Sequence, residues 1–405
     1  MNVHTTPRLE RVAGWLTVLI PPALVIGNAA AEIVAGLVVI LFAWRCIVLR
    51  DGSWLRQGWV KMLLAVWVLG VTRALLTEHP HTALPEAVGW LRFVVLAVAL
   101  QTWTLADERW QQRLTNAGLL SLAWLAGDAI FQYLHGTDLF GRRILFPHRL
   151  TASYPKPIVG IMLAWQFVPY AFGDLARGRS LRALAMGVLA LVAIVLSGER
   201  MALLLSLMSL LLLMLALPSL RRAGVAILLL FVLGTGALML AKPQLYDRQV
   251  TSTLTVIRDL PDSPYGVIWR SAIDIVADHP LTGVGMGNFG HVCPEPQYGP
   301  INAGAFGYPR CAPHPHNIYL EWLVETGIVG LTGFVVAMVL VLGVLWRDMR
   351  RHSGDMLSAA LTVTLFVRLW PLASSTSFFH GWSAIPFWLV LGWALARVRP
   401  MRETA

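Results

Sequence analysis

Long, uninterrupted runs of apolar residues limit what this chain can fold into more than any other feature of its sequence. A helix needs about 20 mostly apolar residues to cross a bilayer, and within hydrocarbon every backbone polar group must be bonded inside the spanning structure. The runs are continuous rather than alternating, which favours helices over the strands of a β-barrel. The sequence therefore predicts an all-α, polytopic integral membrane protein with about twelve transmembrane helices. The twelve runs lie at about residues 12–26, 31–48, 59–76, 84–104, 114–134, 157–175, 181–197, 201–217, 223–241, 317–346, 356–372 and 384–397.

The composition agrees with this fold class. Of the 405 residues, 57% are hydrophobic and 13% are charged, whereas a soluble domain averages about 25% charged residues. This balance excludes a soluble enzyme, a disordered chain and a small disulfide scaffold. The net charge of +10 is spread over the chain, so no nucleic-acid partner is predicted.

The basic residues also orient the helices. Twelve spans place both termini on one side, where nineteen Lys and Arg residues fall, against five in the short segments of the other side. Positive charge concentrates on the cytoplasmic side of a membrane. We therefore expect a multi-pass protein of the bacterial inner membrane with both termini in the cytoplasm, and no cleavable signal peptide is evident.

One segment outside the predicted spans is far longer than an ordinary connection. We divide the chain into residues 1–241, with transmembrane helices 1–9 and short loops, residues 242–316, a long periplasmic loop, and residues 317–405, with helices 10–12 and a cytoplasmic tail. Loops of this length are usually functional or disordered. Residues 268–278 have the pattern of an amphipathic helix, and a glycine-rich turn follows at 283–287. The loop is therefore predicted to be ordered and partly helical.

Ionisable residues occur at the outer ends of the spans, where charge is costly and marks candidate functional sites. Arg200 lies in a short outer turn and Arg270 in the long loop. Guanidinium groups match phosphate oxygens, so both arginines are candidates for binding a lipid-linked phosphate or diphosphate. The alternative is a structural pair or a side chain that extends to the interface. For Arg270 that pair would be with Asp274, four residues on. Further candidates for binding phosphate are Arg142, Arg143 and Arg149, in another outer loop. The other ionisable residues at the outer ends of the spans, which are candidates for a functional or a structural role, are Glu32, Arg73, Glu86, Arg92, Asp128, Glu199 and Arg368.

A histidine lies just before the tenth predicted span. Pro313 and Pro315 keep the chain extended, and Asn317 is a suitable N-cap. The positive end of the helix and the nearby arginines favour a neutral imidazole at His316, which is a usable general base. The alternatives are a solvated loop histidine or a metal ligand together with His314. No Cys or carboxylate cluster at ligand spacing joins these two, so neither a metal nor a cofactor is predicted.

Two of the three cysteines fall in the same outer loop. Cys293 and Cys311 would lie in an oxidising compartment, where a disulfide is stable, and Cys46 lies at the cytoplasmic end of the second span. A bridge would anchor the segment that leads to His316. The alternative is two unpaired thiols.

The His-Asn pair at 316–317 is followed by Gly327 and Gly330. This spacing resembles the signature of the O-antigen ligases, a family that shares a superfamily with O-antigen polymerases and protein O-oligosaccharyltransferases. The resemblance covers roughly residues 120–335, and the plan of twelve spans with a long outer loop extends it to the whole chain. Supporting matches are Asp128, Gln132, Gly136, Asp138 and Gly141, the Ser-Gly-Glu-Arg turn that ends at Arg200, and the stretch from Trp269-Arg270 to Asn288-Phe289.

The resemblance implies a metal-independent inverting glycosyltransferase at the periplasmic face of the inner membrane. Such an enzyme would move O-antigen polysaccharide from undecaprenyl diphosphate to the outer-core sugar of lipid A–core in lipopolysaccharide assembly. Carried over by motif, His316 would be the catalytic base, and Arg200 and Arg270 would bind the diphosphate. Arg142, Arg143 and Arg149 would contact phosphates of the donor or of the acceptor.

Other functions stay open on the sequence alone. An O-antigen polymerase or a protein O-oligosaccharyltransferase would use the same class of donor with a different acceptor. A polysaccharide or lipid transporter is the alternative from outside the enzymes. The ordered outer loop and the lack of an evident internal repeat count against a transporter.

Overall fold

The computed structural model describes residues 7–144, 149–299, 309–374 and 376–399. These residues form helices and no strand, apart from one isolated antiparallel bridge between Thr137 and Arg143. The predicted all-α class is confirmed. The helices are α1 (Pro7–Ile26), α2 (Asn28–Leu49), α3 (Gly58–Leu76), α4 (Pro80–Ala99), α5 (Glu108–His135), α6 (Val159–Leu175), α7 (Ser180–Leu196), α8 (Arg200–Ala216), α9 (Arg221–Ala241), α10 (Pro243–Tyr246), α11 (Ser252–Arg258), α12 (Pro264–Asp278), α13 (Phe289–Val292), α14 (Ile318–Arg351), α15 (Met356–Arg368) and α16 (Gly381–Ala396).

Each of the twelve apolar runs coincides with one helix, α1–α9 or α14–α16. Seven helices in the described part of the chain are long and apolar enough to cross a membrane, and four further apolar helices are shorter. The chain is therefore a polytopic α-helical membrane protein. The shorter helices are 13–17 residues long, and α6, the remaining helix of the twelve, has 17 residues.

Two helices form the centre of the bundle. Nearly every residue of α6 and α16 is buried, as expected for helices that are apolar on all sides. Aromatic rings fill the space around them: Trp322 stacks on Phe334 at 4.5 Å between centroids and meets Trp90 edge-on at 5.4 Å. By contrast, α9 lies at the edge of the bundle and presents most of its apolar surface outward.

We call the side of the bundle that carries residues 242–299 and 309–316 the loop face. The α3–α4, α5–α6, α7–α8 and α15–α16 connections lie there, and hydrogen bonds join them to one another and to the segment that precedes α14. On the opposite side, ion pairs hold helix ends together. Arg397 pairs with Asp355 at 2.7 Å, and Arg182 pairs with Asp174.

Several charged residues at the loop face have structural partners. Arg92 donates two hydrogen bonds to the Glu32 carboxylate, at 2.8 and 2.9 Å. Arg73 donates from Nε to the Gly283 carbonyl oxygen at 2.7 Å. Arg368 is buried against the Trp165 ring and donates to the Ser383 carbonyl oxygen at 2.7 Å. For these residues the structural alternative accounts for the charge.

The helix that follows His316 is interrupted. Gly327 in α14 has φ 66° and ψ −174°, a backbone region that is essentially restricted to glycine. The break separates residues 318–326 from the longer apolar part of the helix. The segment before the break therefore follows the loop face rather than the transmembrane part of α14.

The loop after α12 fills this break, and we call the contact between residues 280–285 and 324–329 the interlock. A Cβ at Gly327 would fall on the Leu281 carbonyl, and a Cβ at Gly283 would fall on the Glu325 carbonyl, both well inside van der Waals contact. Two hydrogen bonds of an unbroken helix are replaced by four between loop and helix. The four bonds are Val284 N to Val324 O (3.0 Å), Gly285 N to Glu325 O (2.9 Å), Ile328 N to Pro280 O (2.9 Å) and Val329 N to Leu281 O (3.3 Å).

The predicted disulfide is confirmed. Cys293 and Cys311 are bonded, with their Cα atoms 5.7 Å apart, and Cys46 is free. Cys293 is fully buried in a small core formed by α12, α13 and the start of α14. The bridge therefore ties the chain just before Pro313 to this core.

Candidate functional site

The supporting motif around Asp128 organises the α5–α6 connection. The Asp128 carboxylate is buried and accepts hydrogen bonds from the Leu139 amide (2.8 Å) and the Ser153 hydroxyl (2.6 Å). One turn on, the Gln132 side chain accepts from the amides of Thr151 and Ala152 at 2.9 and 2.8 Å. These two residues of α5 hold the connection in place. Asp128 therefore has a structural role that explains its position in the motif.

The Ser-Gly-Glu-Arg turn caps a neighbouring helix. Glu199, in the turn between α7 and α8, accepts hydrogen bonds from the amides of Gly160 (2.8 Å) and Ile161 (3.2 Å), at the N-terminus of α6. A carboxylate at this end of a helix satisfies unpaired amides and favours the dipole. Burial raises the pKa of the Glu199 carboxyl to about 7, against the opposing effects of Arg149, the two amides and Arg248.

Three arginines surround this turn, and we call Arg149, Arg200 and Arg248 the arginine cluster. Each is held by a backbone carbonyl: Arg149 by Pro157 (2.8 Å), Arg200 by Ser252 (2.8 Å) and Arg248 by Gly198 (3.2 Å). The Nε atom of Arg149 is buried and has no hydrogen-bond partner. Sequence reasoning found Arg149 and Arg200 but missed Arg248. The signal was present, because Arg248 follows the ninth span on the side where arginine is disfavoured.

The arginines of the cluster repel one another. Burial lowers the pKa of Arg248, and the charges of Arg200 and Arg149 lower it further, while Tyr265 and Glu199 oppose the shift. Two of the three guanidinium groups, those of Arg149 and Arg248, also interact with the buried carboxyl group of Glu199. This region of the loop face is electrostatically prepared for an anion.

His316 lies in a loop that several elements hold. Its φ of 57° is positive, which is uncommon for a residue other than glycine and often marks a functional position. The Trp269 indole of α12 donates to the Pro315 carbonyl oxygen at 3.0 Å. Asn317 caps α14, as predicted, by accepting from the Tyr319 amide at 3.0 Å and from the next amide, and its own amide donates to the α15–α16 connection.

Tyr265 connects the histidine with the arginine cluster. Its ring centroid is 6.1 Å from that of His316, and its side chain acts on the pKa of Arg248. The ring of His314 lies 4.2 Å from that of His316. The structure thus brings a base-type side chain and a basic cluster to the same part of the loop face.

The other predicted phosphate contacts have different surroundings. Arg270 is exposed and pairs with Asp262 at 3.5 Å, so the carboxylate that it contacts is not Asp274, the partner named in the structural alternative. Arg142 pairs with Asp138 at 3.4 Å, and Arg143 takes part in the isolated bridge to Thr137. Among the described residues, no hydrogen bond or ion pair joins these three arginines to the arginine cluster.

In the part of the chain that the structure describes, no three His, Cys, Asp or Glu side chains lie close enough together to hold a metal ion. The roles of His316, Arg200 and Arg270, and the absence of a metal, stay predictions.

The fold and the site define a polytopic α-helical membrane protein with a basic, histidine-bearing site at one membrane surface. Residues 185–335 match the O-antigen ligase family, which supports a relationship to that family for this part of the chain. The family implies a ligase or glycosyltransferase type of enzyme. The matched region includes Arg200, Arg248, Arg270, His316 and the interlock, but not the α5–α6 connection. No curated protein matches the chain.

Proposed function

We propose that this protein is a metal-independent inverting glycosyltransferase that moves O-antigen polysaccharide from undecaprenyl diphosphate to the outer-core sugar of lipid A–core. The single observation that carries the proposal is that Tyr265 lies close to both His316 and Arg248 of the arginine cluster, all three within the region that matches the O-antigen ligase family. A lipid-linked diphosphate requires positive charge at a membrane surface. An acceptor hydroxyl requires a base beside it.

In the proposed reaction, His316 takes the proton from the acceptor hydroxyl. The hydroxyl oxygen attacks the anomeric carbon on the face opposite the diphosphate, and a new glycosidic bond forms with inverted configuration. The bond from the anomeric carbon to the diphosphate oxygen breaks, and the electron pair leaves with undecaprenyl diphosphate. Positive groups fixed where this charge develops stabilise the transition state. Arginine is suited to this because its fork donates two parallel hydrogen bonds to phosphate oxygens.

The remaining predicted residues complete the proposal. Arg200 and Arg270 bind the diphosphate, and Arg142, Arg143 and Arg149 contact phosphates of donor or acceptor. The site then faces the periplasm, and both termini are in the cytoplasm of a bacterium with an inner membrane. Asn317 supports His316 through the cap and Gly327 through the interlock, and Gly330 leaves room for the Thr326 side chain of the same helix.

The test is transfer by purified protein in nanodiscs, with an undecaprenyl-diphosphate glycan as donor and lipid A–core as acceptor. His316→Ala should reduce the rate about 10²–10⁴-fold, the usual effect of losing a general base. The matched control is His291→Ala, which removes an exposed histidine of the same segment. Arg200→Lys should stay impaired, because a point charge does not replace a bidentate fork.

A second reaction, with another donor molecule in place of lipid A–core, tests the polymerase. Transfer only to the second donor would replace the ligase by the polymerase. Wild-type activity of His316→Ala would remove the histidine from the mechanism. EDTA should leave the rate unchanged, and a loss that a divalent ion restores would contradict the metal-free reaction.

A further inference from the structure

The structure places a third arginine at the turn that carries Arg200. Arg248 Nε donates to the Gly198 carbonyl oxygen at 3.2 Å, two residues before Arg200. The Arg200 guanidinium in turn donates to the Ser252 carbonyl oxygen, four residues after Arg248. The two arginines therefore fix each other's backbone, and one cannot be placed without the other.

Arg149 approaches the same turn from the α5–α6 connection. The amide of its neighbour, Leu150, donates to the Ser197 carbonyl oxygen at 3.1 Å, and Arg149 itself donates to Pro157, just before the α6 N-terminus that Glu199 caps. Three segments far apart in the sequence thus bring one guanidinium group each to the α7–α8 turn.

Among the described residues, the charge of this cluster is only partly balanced. Arg92, Arg142 and Arg270 of the loop face each pair with a carboxylate within 4.0 Å, whereas Arg73 and Arg368 donate to backbone carbonyl oxygens, as the cluster does. In the described residues, no member of the arginine cluster forms such a pair, and its hydrogen bonds go to neutral carbonyl oxygens. Glu199 supplies at most one negative charge against three positive charges.

The cluster also has unused donors. A guanidinium group carries five N–H donors, and the buried Nε of Arg149 has no partner. A diphosphate diester has two negative charges and many acceptor oxygens, so it matches both the excess charge and the unused donors. A single carboxylate or a neutral sugar would match neither.

We propose that Arg248 is a diphosphate-binding residue in addition to those named above, and that Arg149, Arg200 and Arg248 form a cradle for the diphosphate of the lipid-linked donor, to which the exposed Arg270 adds a contact from α12. This inference rests on the proposed function and names three residues from separate segments for one ligand. Tyr265 borders the cradle on the side of His316, so the anomeric carbon next to the diphosphate would come within reach of the acceptor hydroxyl.

The experiment measures binding of undecaprenyl diphosphate, without a glycan, to full-length protein in nanodiscs. Arg248→Ala should raise its Kd about 10- to 100-fold, the effect of losing hydrogen bonds to a charged group. Arg248→Gln keeps a donor for the Gly198 carbonyl oxygen and should weaken binding to a similar extent, whereas Arg248→Lys should lie between it and wild type. The matched control is Arg258→Ala, an exposed arginine of the same segment on α11.

Steady-state transfer separates binding from a general structural defect. The KM for the donor should rise with the Kd and kcat should fall as well, because the cluster also stabilises the leaving diphosphate, while the KM for the acceptor stays within about twofold of wild type. Suppose that the wild-type protein transfers glycan and that Arg248→Ala and Arg248→Gln bind the donor as tightly as it does. This result would overturn the cradle and leave the proposed function intact. Failure of the wild-type protein to bind undecaprenyl diphosphate at all would overturn both.

Discussion

Replacing Gly327 by alanine should destabilise the protein because it forces the interlock open. Gly327 occupies a backbone region in which alanine costs about 1–3 kcal/mol. Its Cβ would also fall on the Leu281 carbonyl. The helix can avoid this only by straightening, and a straight α14 expels the loop that follows α12.

The magnitude follows from the hydrogen bonds of the interlock. Straightening loses four main-chain bonds between loop and helix and regains two within the helix. At about 0.5–1.5 kcal/mol each, the net loss of two bonds costs about 1–3 kcal/mol. Whichever way the variant relaxes, we expect it to lose about 1–3 kcal/mol of unfolding free energy. For a chain of this length that corresponds to a melting temperature lower by about 1–4 °C.

The assay is thermal unfolding in detergent, followed by the rate of glycan transfer. Gly343→Ala is the matched control, because it lies on the same helix, has helical geometry, and its added Cβ meets no atom within 4 Å. Gly283→Ala should reproduce the defect from the loop side, since its Cβ would fall on the Glu325 carbonyl. The double variant should be little worse than either single variant, because both open the same contact. A Gly327→Ala protein as stable as Gly343→Ala would refute the interlock.

Two further predictions concern the segments that hold the site. Cys293→Ser and Cys311→Ser should each lower stability by about 3 kcal/mol, with Cys46→Ser as the unaffected control, and mass spectrometry should find only Cys46 alkylated without prior reduction. For Glu199 the pKa of about 7 in the folded protein lies above the value near 4.5 in the unfolded chain. The stabilisation that results from this difference is fully present below about pH 4.5 and is lost as the pH rises to about 7. Unfolding free energy should fall by up to about 3 kcal/mol over that range, and an equal slope in Glu199→Gln would contradict this assignment.

Hydropathy was sufficient to predict the helices, because a chain inside hydrocarbon must satisfy its backbone hydrogen bonds internally and a helix does so. Hydropathy was not sufficient to predict the break in α14. The predicted span at 317–346 is continuous in hydropathy, and the loop that opens it lies about 40 residues earlier in the chain. Only a long-range contact explains why Gly327 is glycine. The disulfide, by contrast, could be predicted from the sequence, because two of the three cysteines fall in one loop that is expected to lie in an oxidising compartment.

The same difference between local and long-range contacts separates the site residues that the sequence singled out from the one that it did not. His316 was found because its neighbours act locally: two prolines and the Asn317 cap define where it stands. Arg248 was missed, although it follows a span on the side where arginine is disfavoured, because the hydrogen bond that places it joins it to Gly198, 50 positions earlier in the chain. Asp128 was found for its charge, yet its partners are the Leu139 amide and the Ser153 hydroxyl. A charged residue in an apolar stretch is a good candidate for a special role, but only the contacts in the structure show which role that is.

The partners also explain how the site keeps its charge. An arginine that is fixed by a carboxylate is well placed but neutralised, and it has little left to offer an anionic ligand. An arginine fixed by a backbone carbonyl is placed equally well and keeps its full positive charge. All three members of the arginine cluster are fixed in this second way, and the Pro315 carbonyl oxygen next to His316 is likewise bonded by a neutral indole. The loop face thus builds its candidate site from backbone contacts, and the charge that those contacts leave unused is what a diphosphate would bind.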